Sequence, residues 1–449
     1  MRDTKHGPPS PTDDLHQPSA MSVTRLVLLA SALLVGISAG AIAQLPTSAE
    51  HEAIAYSTSA PTDAIARLQK RIDAGEVTLA YDESRGYLAS LLKSLDVPAS
   101  SQGLVFSKTS LQLDRIAPWS PRAIYFNDDI YVGYVQGGPI IEVASVDPKL
   151  GAVFYTLHQA AEGKPSFQRE TQTCLVCHDS SSVTGGVPGF IMRSVIPDRY
   201  GYGIAPVGRS VTTDQTPLGE RWGGWYVTGT HGDQAHMGNV IAPVLAQEVG
   251  NMKTYLATAK LPSGANVTSL QGRVDVEPYL TPHSDIAAMM VLAHQTSVHN
   301  LITRAGYDAR VAEREGDRNE SRIRAVGEPL VRAMLFVKEA ALTAPVKGTS
   351  GFAEEFVARG PRDDQGRSLR DLDLQRRLFK YPLSYLIYSE SFNALPAPIK
   401  DYVYSRFREV LGGRDQSPDF AHLSAADRAA ILEILQDTKP EFADATTQR

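Results

Sequence analysis

Two cysteines and a histidine stand within five consecutive residues of the chain. Cys174 and Cys177 are separated by two residues, and His178 follows the second cysteine directly. Two thiols at this spacing can form thioether bonds to the two vinyl groups of one haem, and the adjacent imidazole can reach the iron as its proximal ligand. The chain has no other cysteine. The segment therefore predicts one covalent haem, bound through Cys174 and Cys177, with His178 as a metal ligand.

Three other uses of the cysteines stay open. A disulfide between Cys174 and Cys177 would close a very small loop, and the stabilisation by a disulfide grows with loop length. A thioredoxin-like pair is expected between a strand and a helix, but polar residues with Pro165 precede this pair and a loop-like stretch follows it. A zinc site would need a distant histidine beside the two thiols and His178. None of the three requires a histidine directly after the second cysteine.

The ligand on the other side of the iron would decide the function. Histidine or methionine there favours electron transfer, whereas an open or weakly held position allows peroxide or oxygen chemistry. Residues 220–239 combine two tryptophans, two histidines and a methionine with several glycines. We expect His236 as the second axial metal ligand, then Met237, then His231. A histidine here that does not bind iron would be an acid/base candidate for peroxide cleavage, with Arg221 as a charge stabiliser.

Other histidines and methionines are also available as ligands. Most of them are expected to be packed or surface side chains, because buried methionine usually fills gaps in a core. They are His158, Met192, Met252, His283, Met289, Met290, His294 and His299. His294 lies near the apolar stripe of a predicted helix, and we expect a core histidine that makes one hydrogen bond.

The first 43 residues have the pattern of a secretory signal peptide. Arg25 supplies a positive charge, residues 26–37 are apolar, and the small residues that follow include Ala41-Ile42-Ala43. This pattern predicts cleavage after Ala43, with Met21 as a possible true start. The apolar run is shorter than the ~20 residues of a membrane span. We therefore expect a periplasmic or otherwise exported protein without a transmembrane anchor after cleavage.

Composition sets broad limits on fold and partners. The chain has 449 residues, of which 43% are hydrophobic, and its formal net charge is −6. This length allows two or three domains or one large one. A slightly acidic chain lacks the basic footprint of a nucleic-acid-binding protein, so no nucleic-acid partner is expected.

The pattern of the chain changes before the motif. Residues 44–100 predict an N-terminal tail followed by helices. Residues 101–160 alternate β-branched and aromatic runs with turn residues, which predicts an antiparallel β region. Residues 161–280 form the predicted haem-binding region. Its Gly/Pro-rich part at 185–203 suits a chain that wraps round a flat macrocycle and is equally consistent with plain loop.

The pattern after this region is helical. Residues 281–449 form a predicted helical C-terminal region, with helices at 284–304, 320–342, 369–379, 398–411 and 424–436. The fold class expected from these regions is α+β. It has a β-rich N-terminal half with a haem-binding loop region, followed by a mainly α-helical C-terminal half.

Two segments carry a family resemblance. Residues 174–178 resemble the attachment motif of mono-haem c-type cytochromes, and residues 423–442 look like the closing helix of many cytochrome c domains. The resemblance implies thioether roles for Cys174 and Cys177, a proximal role for His178 and, in bacteria, haem attachment outside the cytoplasmic membrane. Small cytochromes of this family use a methionine some tens of residues downstream, and Met237 has such a spacing.

One main hypothesis and two alternatives follow. The main one is an exported c-type cytochrome that carries one covalent haem c and transfers single electrons to or from a redox partner protein or a small-molecule donor or acceptor. The chain is much longer than a simple carrier requires, which supports a haem enzyme of peroxidase or oxygenase type with an open or weakly held distal site. The third possibility is a haem-bearing sensor or binding module.

Overall fold

The computed structural model describes residues 48–204, 210–245, 265–317 and 319–447. The predicted signal peptide at 1–43 and the ligand candidate Met252 lie outside these residues. The described elements belong to one compact unit that begins at Thr47. Among the described helices, none combines the length and the apolar character that a membrane span requires.

Six antiparallel strands form a meander in the first half of the chain, each paired with the next in sequence. The strands are β1 Gly103–Val105, β2 Arg122–Phe126, β3 Ile130–Tyr134, β4 Ile140–Asp147, β5 Gly151–His158 and β6 Phe167–Arg169. The longest pairing joins β4 to β5, from Ile140 opposite His158 to Asp147 opposite Gly151. The predicted antiparallel sheet is confirmed. A short hairpin of β7 Arg193–Ser194 and β8 Ser210–Val211 lies apart from it.

Both faces of the main sheet are buried. Successive strand residues point to opposite faces, and in β5 Val153 and Tyr155 belong to one core cluster while Ala152 and Phe154 belong to another. The first cluster includes helices α1 Ala64–Asp73 and α2 Leu88–Ser94. This double burial explains why β5 is a continuous apolar run.

The expected N-terminal tail is packed from its first described residues onward. Ile54 and Tyr56 have no exposed surface, and the Tyr56 hydroxyl donates a hydrogen bond to the Ala152 carbonyl at 2.8 Å. A few well-spaced apolar residues are enough to hold this polar segment against the sheet. The prediction of a tail was therefore wrong for residues 48–60.

The second half of the chain is mainly helical, as predicted. After a single turn, α3 Leu175–His178, the described helices are α4 Ile286–Glu315, α5 Glu320–Met334, α6 Phe352–Val357, α7 Glu390–Asn393, α8 Ala397–Leu411, α9 Ala425–Thr438 and α10 Pro440–Thr447. The central helix α4 begins at the N-cap Asp285, whose carboxylate accepts hydrogen bonds from the amides of Ala287 and Ala288. It is buried along most of its length and packs against the second core cluster.

The helix predicted at 369–379 does not form. Residues Leu372 and Phe379 are instead joined by an isolated antiparallel bridge. The carboxylate of Asp373 accepts hydrogen bonds from the amides of Gln375 and Arg376 at 2.8 Å each. Short acidic side chains that bind nearby amides favour turns over helix, which explains the failure of the apolar spacing as a helix signal here.

Candidate functional site

One helical turn carries the two cysteines and the histidine. The amides of Cys177 and His178 donate to the Cys174 carbonyl at 3.2 and 3.0 Å. Residues at positions i, i+3 and i+4 of a helix share a face, and Cys174, Cys177 and His178 all line the same cavity. Val176 is 84% exposed. The two residues between the cysteines therefore serve as the spacer that brings the thiols and the imidazole together.

The cavity has a volume of about 720 Å³. This is within the range of about 300–1,000 Å³ that is typical of small-molecule and cofactor sites. Its walls come from β1 to β5, from the segment after the motif and from α4, so it extends beyond the predicted region 161–280. The Gly/Pro-rich stretch contributes Phe190, Met192 and Gly203 to the lining of the cavity.

Aromatic side chains connect the motif to the core. The ring centroids of His178 and Phe154 are 4.6 Å apart, and those of Tyr131 and Phe190 are 4.2 Å apart. Phe154 also contacts Phe190, at 6.4 Å between centroids. All four side chains line the cavity, so one wall beside the histidine is flat, apolar and suited to a conjugated ring system.

The imidazole of His178 is fixed through one of its nitrogens. Nδ1 lies 2.8 Å from the Gly189 carbonyl oxygen. A carbonyl can only accept, so Nδ1 carries the proton and the lone pair remains on Nε2. Burial lowers the pKa of His178, with Arg122 and Arg193 adding to the shift and the bond to Gly189 opposing it. The ring is therefore neutral near pH 7, the form that binds metals.

The thiols are free in the structure, so it shows no disulfide between them. Burial raises the pKa of the Cys174 thiol to about 12, with nearby Glu170 and Glu142 as further causes. Reactive redox cysteines have a lowered pKa. Cys174 is thus unlike the nucleophile of a thioredoxin-like pair, and the motif turn is followed by bends and turns instead of a long helix.

The charged residues that line the cavity are mostly basic. They are Lys108, Arg122, Glu142 and Arg193. Arg122 and Glu142 form an ion pair at 2.6 Å, but the Nε of Arg122 is buried without a hydrogen-bond partner in the described chain. A Cβ at position 133 would come within 2.7 Å of that nitrogen, so Gly133 leaves the room that Arg122 occupies. The cavity therefore suits an apolar ligand with anionic groups.

The predicted second ligand lies elsewhere. His236, Met237, His231 and Arg221 are all absent from the described lining of the cavity. The amide of Met237 donates to the Arg221 carbonyl at 3.0 Å, which folds the stretch 220–239 back on itself. Trp225 lines the cavity, whereas Trp222 contacts His236 with ring centroids 5.6 Å apart. Sequence proximity to Trp225 therefore does not bring His236 to the lining of this cavity.

Arg221 has a structural role in place of the expected one. Its guanidinium donates to the carbonyls of Thr216 and Asp214 at 2.6 and 2.7 Å. Burial lowers the pKa of Arg221, while Asp214 and Glu339 oppose the shift. The guanidinium thus stabilises the loop at residues 214–216. Arg221 is absent from the described lining of the cavity beside His178.

A buried triad that sequence reasoning missed joins three distant segments. Nδ1 of His294 lies 3.1 Å from a carboxylate oxygen of Asp214, and Nε2 lies 2.8 Å from the Ser384 hydroxyl. The order of groups is that of a serine hydrolase. However, His294 and Ser384 have no exposed surface, so a substrate has no access to the hydroxyl. His294 is a core residue, as predicted, with two hydrogen bonds instead of one.

Within the described ranges, no group of three or more His, Cys, Asp and Glu side chains is placed to hold a metal ion. A haem iron takes most of its ligands from the porphyrin, so one imidazole is sufficient to anchor it. The comparisons with known proteins leave the site to be judged on its own chemistry: no model of a protein family, no curated protein and no solved structure matches this chain.

Proposed function

We propose that this chain is an exported c-type cytochrome of α+β fold that binds one haem in the loop region around the motif turn. Cys174 and Cys177 form the thioether bonds, and His178 is the proximal ligand. One observation supports this more than any other. The only two thiols of the chain and a neutral imidazole meet at the wall of one cavity of about 720 Å³. Haem attachment accounts for all three groups.

The protein orients the proximal imidazole before any metal binds. The hydrogen bond from Nδ1 of His178 to the Gly189 carbonyl fixes the tautomer and the ring plane. Such an outer partner is typical of metal-binding histidines and raises the basicity of the ligand. The segment beyond Gly189 is held in turn by Asn300 of α4, whose amide binds both backbone polar groups of Phe190.

The basic residues of the cavity have a role in the same proposal. A haem carries two propionate groups, and Arg122 and Arg193 are the guanidinium groups on the lining. The unpaired Nε of Arg122 is a donor for such a carboxylate. Arg193 makes no hydrogen bond from its guanidinium to any residue that the structure describes. We assign the propionates to these two residues.

Met192 replaces His236 as the candidate for the second axial ligand. It is 2% exposed and lines the cavity together with His178. When bound, a haem with histidine and methionine ligands supplies one-electron transfer at a raised reduction potential. If Met192 bound the iron, no open position would remain for an oxidant. One-electron transfer to or from a protein or small-molecule partner is therefore the favoured activity, and a haem enzyme is the alternative.

The covalent link is tested in the exported, full-length protein. Cys174→Ser and Cys177→Ser should each leave a single thioether, and the double variant should carry no haem after denaturation, as measured by protein mass and by haem staining of a denaturing gel. Val176→Ser changes the exposed residue between the cysteines and should keep full attachment. Release of all pigment from the wild type into acidified acetone would refute the proposal. A mature N-terminus at Gln44 would support the predicted cleavage.

The second axial ligand is tested by carbon monoxide. Ferrous wild-type protein should bind carbon monoxide slowly or not at all, and Met192→Leu should bind it at once. Met289→Leu is the matched control, because Met289 is equally buried on α4 but is absent from the cavity lining. Immediate binding by the wild type would favour the haem enzyme over the electron carrier.

A further inference from the structure

A second pair of imidazoles lies outside the cavity. His231 and His236 are 1% and 2% exposed, and their ring centroids are 4.7 Å apart. None of their four ring nitrogens has a hydrogen-bond partner in the described chain. The backbone of Gly238 raises the pKa of His236, as a carbonyl that accepts from the ring does, but neither ring nitrogen of His236 has a partner within hydrogen-bond geometry. The proposed haem function leaves these two side chains without a role.

Such a pair is costly without a partner. A buried polar group that loses its hydrogen bonds costs about 1–3 kcal/mol, and native interiors contain few of them. Here both rings are affected at one place, and the indole nitrogen of Trp222, which contacts His236, is also buried and unpaired. Each neutral imidazole has one N–H group and one lone pair, whereas the indole nitrogen can only donate. The two imidazole lone pairs are therefore left without a partner that accepts them.

The separation of the rings agrees with a shared metal ion. Metal–imidazole bonds are about 2.0–2.1 Å long, and the ring centroid lies about 1.2 Å beyond the nitrogen, so a metal would be about 3.2 Å from each centroid. Two centroids 4.7 Å apart then correspond to a nitrogen–metal–nitrogen angle of about 95°. That value is close to the angle between neighbouring ligands in square or octahedral geometry.

We propose that His231 and His236 bind one divalent transition-metal ion, separate from the haem. Donors that are both imidazoles select zinc, copper or nickel over magnesium or calcium. Burial and the neighbouring His231 lower the pKa of His236 to about 4, so this ligand is neutral at pH 7. Trp222 contacts the pair while Trp225, three residues later, lines the haem cavity, which makes the two sites neighbours along one segment.

The test uses the full-length, haem-loaded protein after treatment with a chelator. Calorimetric titration with Zn²⁺ alone and with Cu²⁺ alone should show one equivalent bound, with a Kd of about 1 µM or tighter, and no binding of Mg²⁺. His231→Ala and His236→Ala should each weaken binding by at least about 100-fold. His158→Ala changes an exposed histidine and should bind as the wild type does.

Haem content separates this proposal from the previous one. Both histidine variants should retain a full covalent haem, which also shows that they fold. If a variant does not fold, the wild type still decides: Zn²⁺ should raise its Tm, and X-ray absorption at the zinc edge should show two imidazole ligands. Two results would overturn the second metal site whatever the state of the haem. One is the absence of one-equivalent binding in the wild type, and the other is unchanged binding in a variant that carries both His231→Ala and His236→Ala.

Discussion

His178 and Gly189 hold each other by two hydrogen bonds. The Gly189 amide donates to the His178 carbonyl at 2.9 Å, and Nδ1 of His178 binds the Gly189 carbonyl at 2.8 Å. The side-chain amide of Asn300 accepts from the amide of the next residue, Phe190, and donates to the Phe190 carbonyl, at 2.8 Å each. The imidazole is therefore connected to the central helix α4 through two residues of loop. The orientation of the proposed ligand therefore depends on a site in the helical half of the chain.

We expect Gly189→Ala to disturb this arrangement. A Cβ at residue 189 would lie 2.9 Å from Cγ of Asn300 and 3.0 Å from Cβ of Thr184. The loop must then shift, which should lower the free energy of unfolding by about 1–3 kcal/mol and reduce the fraction of chains with covalent haem. Urea unfolding and the haem-to-protein ratio measure the two effects. Gly219→Ala is the control, because its Cβ would meet nothing closer than 3.9 Å, and equal effects of both substitutions would contradict the argument.

Arg122→Gln should lower the reduction potential of the proposed haem. Removal of a positive charge beside the cofactor favours the ferric state, whose charge is more positive, and the expected shift is on the order of tens of mV. Potentiometric titration at fixed ionic strength measures it. Arg115→Gln removes a charge that is exposed and absent from the cavity lining and should leave the potential nearly unchanged. An unchanged potential in Arg122→Gln would remove this residue from the proposed propionate site.

Sequence patterns predicted the parts of the fold in which each residue follows a local rule. The apolar run of β5 and the N-cap Ser424 before α9 were both readable, and the capping box of Ser424 and Asp427 is present. The short strand β6 was missed because its residues Phe167–Arg169 are mostly polar. Its pairing with β5 comes from the edge of the sheet, which no local pattern shows.

Sequence reasoning grouped only residues that are neighbours in sequence. Cys174, Cys177 and His178 were grouped by their spacing, and all three line one cavity. Met192 was an undistinguished candidate, because only the folding of the segment after the motif brings it to the same cavity. The pairing of Arg122 with Glu142 joins β2 to β4 across β3. Such relationships depend on the register of the sheet, and a single sequence does not contain them in readable form.

His294→Leu should strongly destabilise the protein. Because the Ser384 hydroxyl is buried, we expect no serine-hydrolase activity in the wild type that the substitution could remove. The substitution leaves the Asp214 carboxylate and the Ser384 hydroxyl without the partner that they share in the core. A buried polar group that loses its hydrogen-bond partner costs about 1–3 kcal/mol, and two groups lose theirs here. Chemical denaturation measures the loss, and Ser384→Ala, which removes only one neutral partner, should cost less. Labelling of Ser384 in the folded wild type by a fluorophosphonate probe would show that the triad is accessible after all.

The lowered pKa of His299 should make the stability of the protein depend on pH. Burial lowers the pKa of His299 to about 4, and its bond to the Asp128 carbonyl only partly opposes this. In the unfolded chain its pKa is about 6.5, so between these values the unfolded state binds more protons than the folded state. Stability that is present above about pH 6.5 is therefore lost as the pH falls toward 4, and the loss between pH 7 and pH 5 is roughly 2 kcal/mol.

Comparison of the wild type with His299→Gln isolates the contribution of His299 to the pH dependence of stability. Asp129 and Glu339 have pKa values raised by burial to about 7, and they change stability in the opposite direction over the same range. They act equally in the wild type and in His299→Gln, so they cancel in the comparison. Urea unfolding at pH 7 and pH 5 should show that His299→Gln loses roughly 2 kcal/mol less than the wild type. A difference that is the same at both pH values would mean that the pKa of His299 is equal in the folded and unfolded states, which contradicts the prediction.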